Sequence, residues 1–340
     1  MIWTTWRQFR PQAIVAGAAL AAVAIALAVT GPHLAGLYSS SGLATCASNC
    51  GAKVSTFIGQ VHGSATELIF YGGVFLVYAV PALIGIFWGA PLISREIESG
   101  SFRLAWNQSV TRRRWIGVKL GLVGLASMAS AGLLSLMISW WSSPLYRAAE
   151  QASQNSLSTN RFTPLLFGAN GIAPIGYAAF AFALGVTLGL LLRRTVAAMA
   201  ITIAVVAAIQ VLWPAFVRPH LVPSAQEVRP LSAVNFNGTG DYNNGILVLQ
   251  VGTINGLPPD TWITSTHPVN AAGQPITKAP LPCVSARNFV PCLQSNGIRM
   301  AVTYQPASRY WEFQWLETGI FLVLAGGLGG ACYRRIRRLA

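Results

Sequence analysis

Charge is what this sequence has least of. Only 9% of its 340 residues are Asp, Glu, Lys or Arg, whereas 53% are hydrophobic. A soluble domain is roughly a quarter charged. A chain this poor in charge cannot cover a water-facing surface, so most of it must face lipid. Acids are scarcer than bases, nine against 23. Histidine is scarce too, and His33, His62, His220 and His267 all fall between the apolar segments. Nowhere does a G-x-x-x-x-G-K-[ST] phosphate loop occur, so the chain is expected to bind no nucleotide of its own. No nucleophile–base pattern stands out, and the cysteine and histidine spacings do not suit zinc. Neither a catalytic residue nor a metal ligand is assigned, and a membrane-embedded enzyme is disfavoured.

What the chain does have is apolar length. Six segments, Ala13–Thr30, Leu68–Ile93, Trp115–Trp141, Leu165–Leu192, Thr195–Val217 and Thr318–Tyr333, approach or exceed the ~20 helical residues that span a bilayer. Apart from Lys119, which can snorkel from the start of the third, none contains Asp, Glu, Lys, Arg or His. Proton- and ion-coupled pumps need ionisable groups at depth. Energy for any transport is therefore expected from elsewhere.

The net charge of +14 would suggest nucleic acid in a soluble protein. Here the charges sit in short runs at segment edges. The N-terminus, loops two and four and the C-terminal tail carry fourteen Lys and Arg; loops one and three carry three. Lys and Arg mark cytoplasmic loops, which predicts both termini inside and no nucleic-acid partner. The expected localisation is a bacterial plasma membrane. Residues 1–12, with Trp3, Trp6 and Phe9 beside Arg7 and Arg10, suit an interfacial helix. A cleavable signal peptide is the alternative reading of the first segment, and retention is expected.

The predicted fold is an all-α polytopic bundle of six transmembrane helices with a small irregular or β extracellular domain between helices 5 and 6. Its parts are the interfacial helix (1–12), helices 1–5 (13–217) with a cytoplasmic loop at 94–115, an extracellular loop domain (218–315), and helix 6 with a basic tail (316–340). The loop domain is rich in turn residues, with strands expected at Ile246–Val251 and Ile298–Tyr304. Asp260 and His267 within it read as a surface pair. On the outer side, where oxidation permits pairing, Cys46–Cys50 and Cys283–Cys292 are expected as disulfides. Arg309, Trp311, Trp315 and Glu317 precede the last span; they read as a membrane anchor or, alternatively, an outer gate or interface.

Loop two differs from the others. It holds the only cytoplasmic acids, Glu96 and Glu98, then Gly100, then Phe102, Arg103 and Trp106 before a run of arginines. Mixed charge with aromatics suits protein docking; an ordinary basic connector is the plain alternative. The run Arg95-Glu96-Ile97-Glu98-Ser99-Gly100 resembles the Arg-Glu-x-Glu-x-Gly pattern that follows the second span in ABC transporter permeases of the type-2 export class. Phe102-Arg103-Leu104-Ala105-Trp106 and the stretch Tyr304–Glu317 are similar to the actinobacterial branch. The resemblance implies a permease subunit without a motor, paired as a homo- or heterodimer. It also implies a cytoplasmic ABC ATPase that binds ATP and Mg and engages Arg95, Glu96, Glu98, Gly100, Phe102, Arg103 and Trp106. The expected cargo is amphipathic or hydrophobic, and membrane lipid is a partner. A non-transporting scaffold or receptor with a ligand-binding ectodomain is the competing reading.

Overall fold

The computed structural model describes residues 2–338 except 47–49, 101–111, 152–159, 237–240, 244, 245, 250, 259 and 285–287. Among the described residues, six helices are long and apolar enough to cross a membrane. They are α1 (Ile2–Ser40), α2 (Ala65–Glu98), α3 (Arg112–Trp141), α4 (Ala173–Leu192), α5 (Thr195–His220) and α6 (Tyr310–Arg338). α4 lies at the centre, packed against α2, α3, α5 and α6. Its burial follows from composition: it carries no charge between Ala173 and Leu192, and its small residues let neighbours approach. The other five expose long apolar faces, such as Val15, Ile25 and Val29 on α1 and Val196, Val211 and Phe216 on α5.

Closest approach is between α2 and α4. A Cβ added to Gly185 would lie 2.3 Å from the Gly85 carbonyl oxygen, and one on Gly189 would lie 2.4 Å from that of Ala90. Only glycine permits this backbone contact.

α2 and α5 each contain a π turn. In α2 the α-helix to Ile84 gives way to π geometry over Gly85–Gly89, then resumes at Pro91–Glu98. Ala90 N–H donates to the Gly85 carbonyl, an i to i+5 bond. Pro91 has no N–H to offer the Phe87 carbonyl, and the Gln12 side chain donates there instead at 3.4 Å. In α5 the π turn spans Trp213–Val217 and delivers Arg218.

Several boundaries differ from the sequence expectation. Residues 2–12, set apart as an interfacial helix, run unbroken into α1. α6 starts at Tyr310 rather than near residue 316, because Tyr310, Phe313, Gln314 and Glu317 share a helical face that packs inward. Helices at Gly51–Val61 and Ser143–Gln151 occupy what read as loops; both are amphipathic, and the first packs Val54, Phe57 and Val61 on Leu34 and Tyr38 of α1.

Between α5 and α6 lies a small strand-rich unit. β1 (Ala225–Pro230), β7 (Arg299–Gln305) and β6 (Trp262–Val269) form an antiparallel sheet in the order β1-β7-β6. The remaining strands, β2 (Val234–Phe236) with β5 (Val251–Ile254) and β3 (Asp241–Asn243) with β4 (Ile246–Val248), form two-stranded ladders. The expected strand at 246–251 is thus split between two ladders. Met300, Val302, Leu293 and Ile254 make its core, which includes the Cys283–Cys292 disulfide. Cys46 and Cys50 are also joined.

Candidate functional site

Successive helices run in opposite directions, so two ends of the bundle can be distinguished, and each carries an ion pair between helices. At the end holding the C-terminus of α2, Glu96 meets Lys119 of α3. Lys119 is buried and also lies over the Trp115 ring, 4.6 Å from its centroid. The other Glu96 oxygen, Oε2, is buried without a hydrogen-bond partner. Beside it a cavity of about 210 Å³ is lined by Gln8, Gln12 and Arg95, polar and roomy enough for water.

Glu98, two residues on, caps α5. Its Oε1 accepts from Thr195 N–H at 2.8 Å and its Oε2 from the Thr195 hydroxyl at 2.7 Å. Ser94 Oγ lies 2.7 Å from the same hydroxyl. A carboxylate at a helix N-terminus satisfies an orphan donor and complements the helix dipole. The tight α4–α5 turn makes this reach possible: Arg193 takes a left-handed φ of 54° and Arg194 is extended. Gly100 closes the α2 end with φ +70°, its N–H donating to Ile97.

The two acids that read as a docking surface are therefore held by α3 and α5. Arg95 is exposed. Phe102, Arg103 and Trp106 lie outside the described residues.

At the opposite end, Arg218 pairs with Glu317. Both are fully buried. Arg218 Nε and one terminal nitrogen grip the two carboxylate oxygens at 2.8 and 2.9 Å. The remaining donors reach the Pro164 carbonyl at 2.9 Å and the Tyr177 hydroxyl at 3.2 Å. Tyr177 also donates to Glu317, and the guanidinium sits 4.4 Å from the Phe167 ring centroid. One turn before Glu317, the buried Gln314 Oε1 accepts from Ile172 and Ala173 N–H at 3.0 and 2.9 Å, capping α4. Its Nε2 donates to the Phe167 and Asn170 carbonyls. Glu317 and Gln314 thus join α6 to α4 and α5 at one level.

This corrects the expectation that only Lys119 among ionisable groups enters a span. The sequence places Arg218 in the fifth loop; the π turn of α5 swings it into the bundle. The signal available was its position: Arg218 abuts the fifth apolar run and Glu317 abuts the sixth, at helix ends that must meet. The four candidate gate residues do not come together. Glu317 is buried, Trp311 and Trp315 face outward, and Arg309 donates to Gln305 and Pro223.

Asp260 is buried rather than paired at the surface with His267, which stands on β6. It faces Arg161, whose Nε lies 3.3 Å away, and Arg161 also reaches Glu150 at 3.1 Å. Burial, reinforced by Glu150 and opposed by Arg161, pushes the Asp260 carboxyl up to about 6. Among the described residues no cluster of His, Cys, Asp and Glu could hold a metal ion.

A family model for "ABC-2 membrane transporter related" proteins matches residues 17–218, from α1 to the Arg218 that ends the π turn. Neither a curated protein nor a solved structure matches the chain. The match covers more than half of the sequence and five of the six apolar helices. The chain belongs to the ABC-2 membrane transporter related family, and its six apolar helices suit a multi-pass transporter subunit.

Proposed function

We propose that this chain is the membrane-spanning subunit of an ATP-driven exporter for an amphipathic or hydrophobic substrate. It has no motor of its own; a separate cytoplasmic ATPase binds ATP and Mg and presses on residues 94–115. The subunit works in a bacterial plasma membrane as a homo- or heterodimer with both termini cytoplasmic. The strand-rich unit and both disulfides then lie outside, where oxidation is allowed. The charge distribution supports this orientation: Arg7, Arg10, Arg95, Arg193, Arg334 and Arg335 belong to helix ends on one side of the bundle.

One observation carries the mechanism. The end of α2 is tied to α3 through Glu96–Lys119 and to α5 through Glu98–Thr195. A push on the segment after Glu98 is transmitted to three helices at once. Nucleotide-driven closure of the ATPase can then bias the bundle between two arrangements.

The test is reconstitution with the ATPase that co-purifies from native membrane. Glu98→Gln keeps a hydrogen-bonding group against Thr195, so the protein is expected to fold and still bind the ATPase. Cargo-stimulated hydrolysis is expected to fall. A Glu98→Gln, Glu96→Gln variant that couples hydrolysis to transport at the full rate defeats the assignment, as does purification with no nucleotide-binding partner.

A further inference from the structure

A second cavity, of about 660 Å³, opens at the end of the bundle that carries Arg218. Its size is within the range of small-molecule sites. The C-terminal half of α3, the helix Ser143–Gln151, the start of α4 and the first turn of α6 enclose it. The lining is graded. Leu136 and Ile175 form the part nearer the middle of the spans, and Arg147, Glu150 and Arg161 form the rim. Around the mouth, Leu133, Leu136, Trp140 and Trp311 are 52–66% exposed, so the cavity opens sideways onto an apolar face.

The charges at the rim are not equivalent. Arg161 is engaged by Glu150 and Asp260. Arg147, three residues before Glu150 on the same short helix, is exposed and has no acid within ion-pair distance among the described residues. The site therefore offers one uncommitted guanidinium above an apolar trough that leads into the lipid-facing surface. Arg suits phosphate by geometry as well as charge.

We propose that this cavity is a lateral site for an anionic phospholipid. The phosphate pairs with Arg147 at the rim, and an acyl chain lies along Leu136 and Ile175. The site requires only that the bundle stand in a bilayer and holds whether or not cargo passes this way.

The test is native mass spectrometry of the purified full chain titrated with phosphatidylglycerol or phosphatidylcholine. Wild-type protein is expected to retain one tightly held phosphatidylglycerol that phosphatidylcholine does not replace. Arg147→Ala is expected to weaken that one molecule about tenfold, the scale of a lost charge-assisted contact. Arg147→Lys is expected to restore most of the affinity. Leu136→Trp, on an exposed position at the mouth, is expected to block the trough without touching the charge. Arg10→Ala, at the opposite end, serves as the control for general surface attraction and is expected to change nothing. The proposal is overturned if Arg147→Ala binds as wild type does, if Arg10→Ala shows the same loss, or if the two lipids bind alike. None of these readings involves ATP or transport, so their failure is separate from failure of the exporter reading.

Discussion

Breaking the Arg218–Glu317 pair from one side is expected to be among the most damaging single changes in the bundle. Arg218 makes four hydrogen bonds, two to Glu317 and one each to Tyr177 and Pro164. A neutral inter-helix hydrogen bond in a membrane protein averages only about 0.6 kcal/mol, so four such bonds would account for roughly 2.5 kcal/mol. A guanidinium left buried without its counter-charge costs more, about 3–5 kcal/mol. Glu317→Met and Arg218→Met are each expected to destabilise by that amount. The double variant Arg218→Met, Glu317→Met removes both charges and is expected to lose far less than the sum, since apolar replacements of buried pairs are often near neutral. The assay is reversible denaturant unfolding of the detergent-solubilised chain as a double-mutant cycle. A coupling of at least about 2 kcal/mol is expected. Single variants that lose under about 1 kcal/mol, or a double variant that loses the sum of the two, would show that the pair is not the uncompensated-charge lock described.

Two further outcomes are expected. Gly185→Ala places a methyl group 2.3 Å from the Gly85 carbonyl oxygen, so the usual helix gain of about 0.5–1 kcal/mol is reversed into a loss of about 1–3 kcal/mol; Gly36→Ala, where no atom is within 4 Å, is expected to keep the gain, and equal melting temperatures for the two would contradict the close crossing. Because the folded state holds the Asp260 proton up to about 6, stability is expected to fall as pH rises from the ordinary carboxylate range through about 6, then level off. The drop is roughly 1–2 kcal/mol after solvent screening at the 40%-exposed Arg161 and Glu150. Asp260→Asn, tolerated at φ 58°, should remove that slope, and parallel pH profiles would count against it.

The six helices were legible because length and hydropathy are local properties, and each apolar run needs only itself to be recognised. Loops bearing amphipathic helices were harder. Gly51–Val61 is polar enough to pass for a connector, and its apolar face finds its partners on α1, α2 and the helix Ser143–Gln151, all on other parts of the chain. Gln314 illustrates the other limit. Its side chain caps a helix that starts some 140 positions earlier in the chain, and nothing in the neighbourhood of Gln314 announces that. Glu96 and Glu98 stand out in the sequence as acids in a basic loop, but their partners Lys119 and Thr195 lie on other helices, so the ties they make are not legible there. Arg218 follows the fifth apolar run and reads as the start of a loop, and the π turn that brings it inward leaves no mark in the sequence.

That last point reaches beyond one residue. A π turn accommodates one extra residue in its ring, so everything after it is rotated by about 100° relative to an unbroken helix. On α5 the residues before the bonded end of the turn point outward: Val211 is 70% exposed and Phe216 is 68% exposed, yet Arg218 is fully buried. On α2, too, the turn at Gly85–Gly89 precedes Glu96 and Glu98. In both helices the extra residue acts as a phase shifter. It lets an apolar stripe face lipid along most of the rod while the terminal charge is re-aimed at a neighbouring helix. Deleting a single residue from either turn would keep every side chain's chemistry and rotate the charge away from its partner.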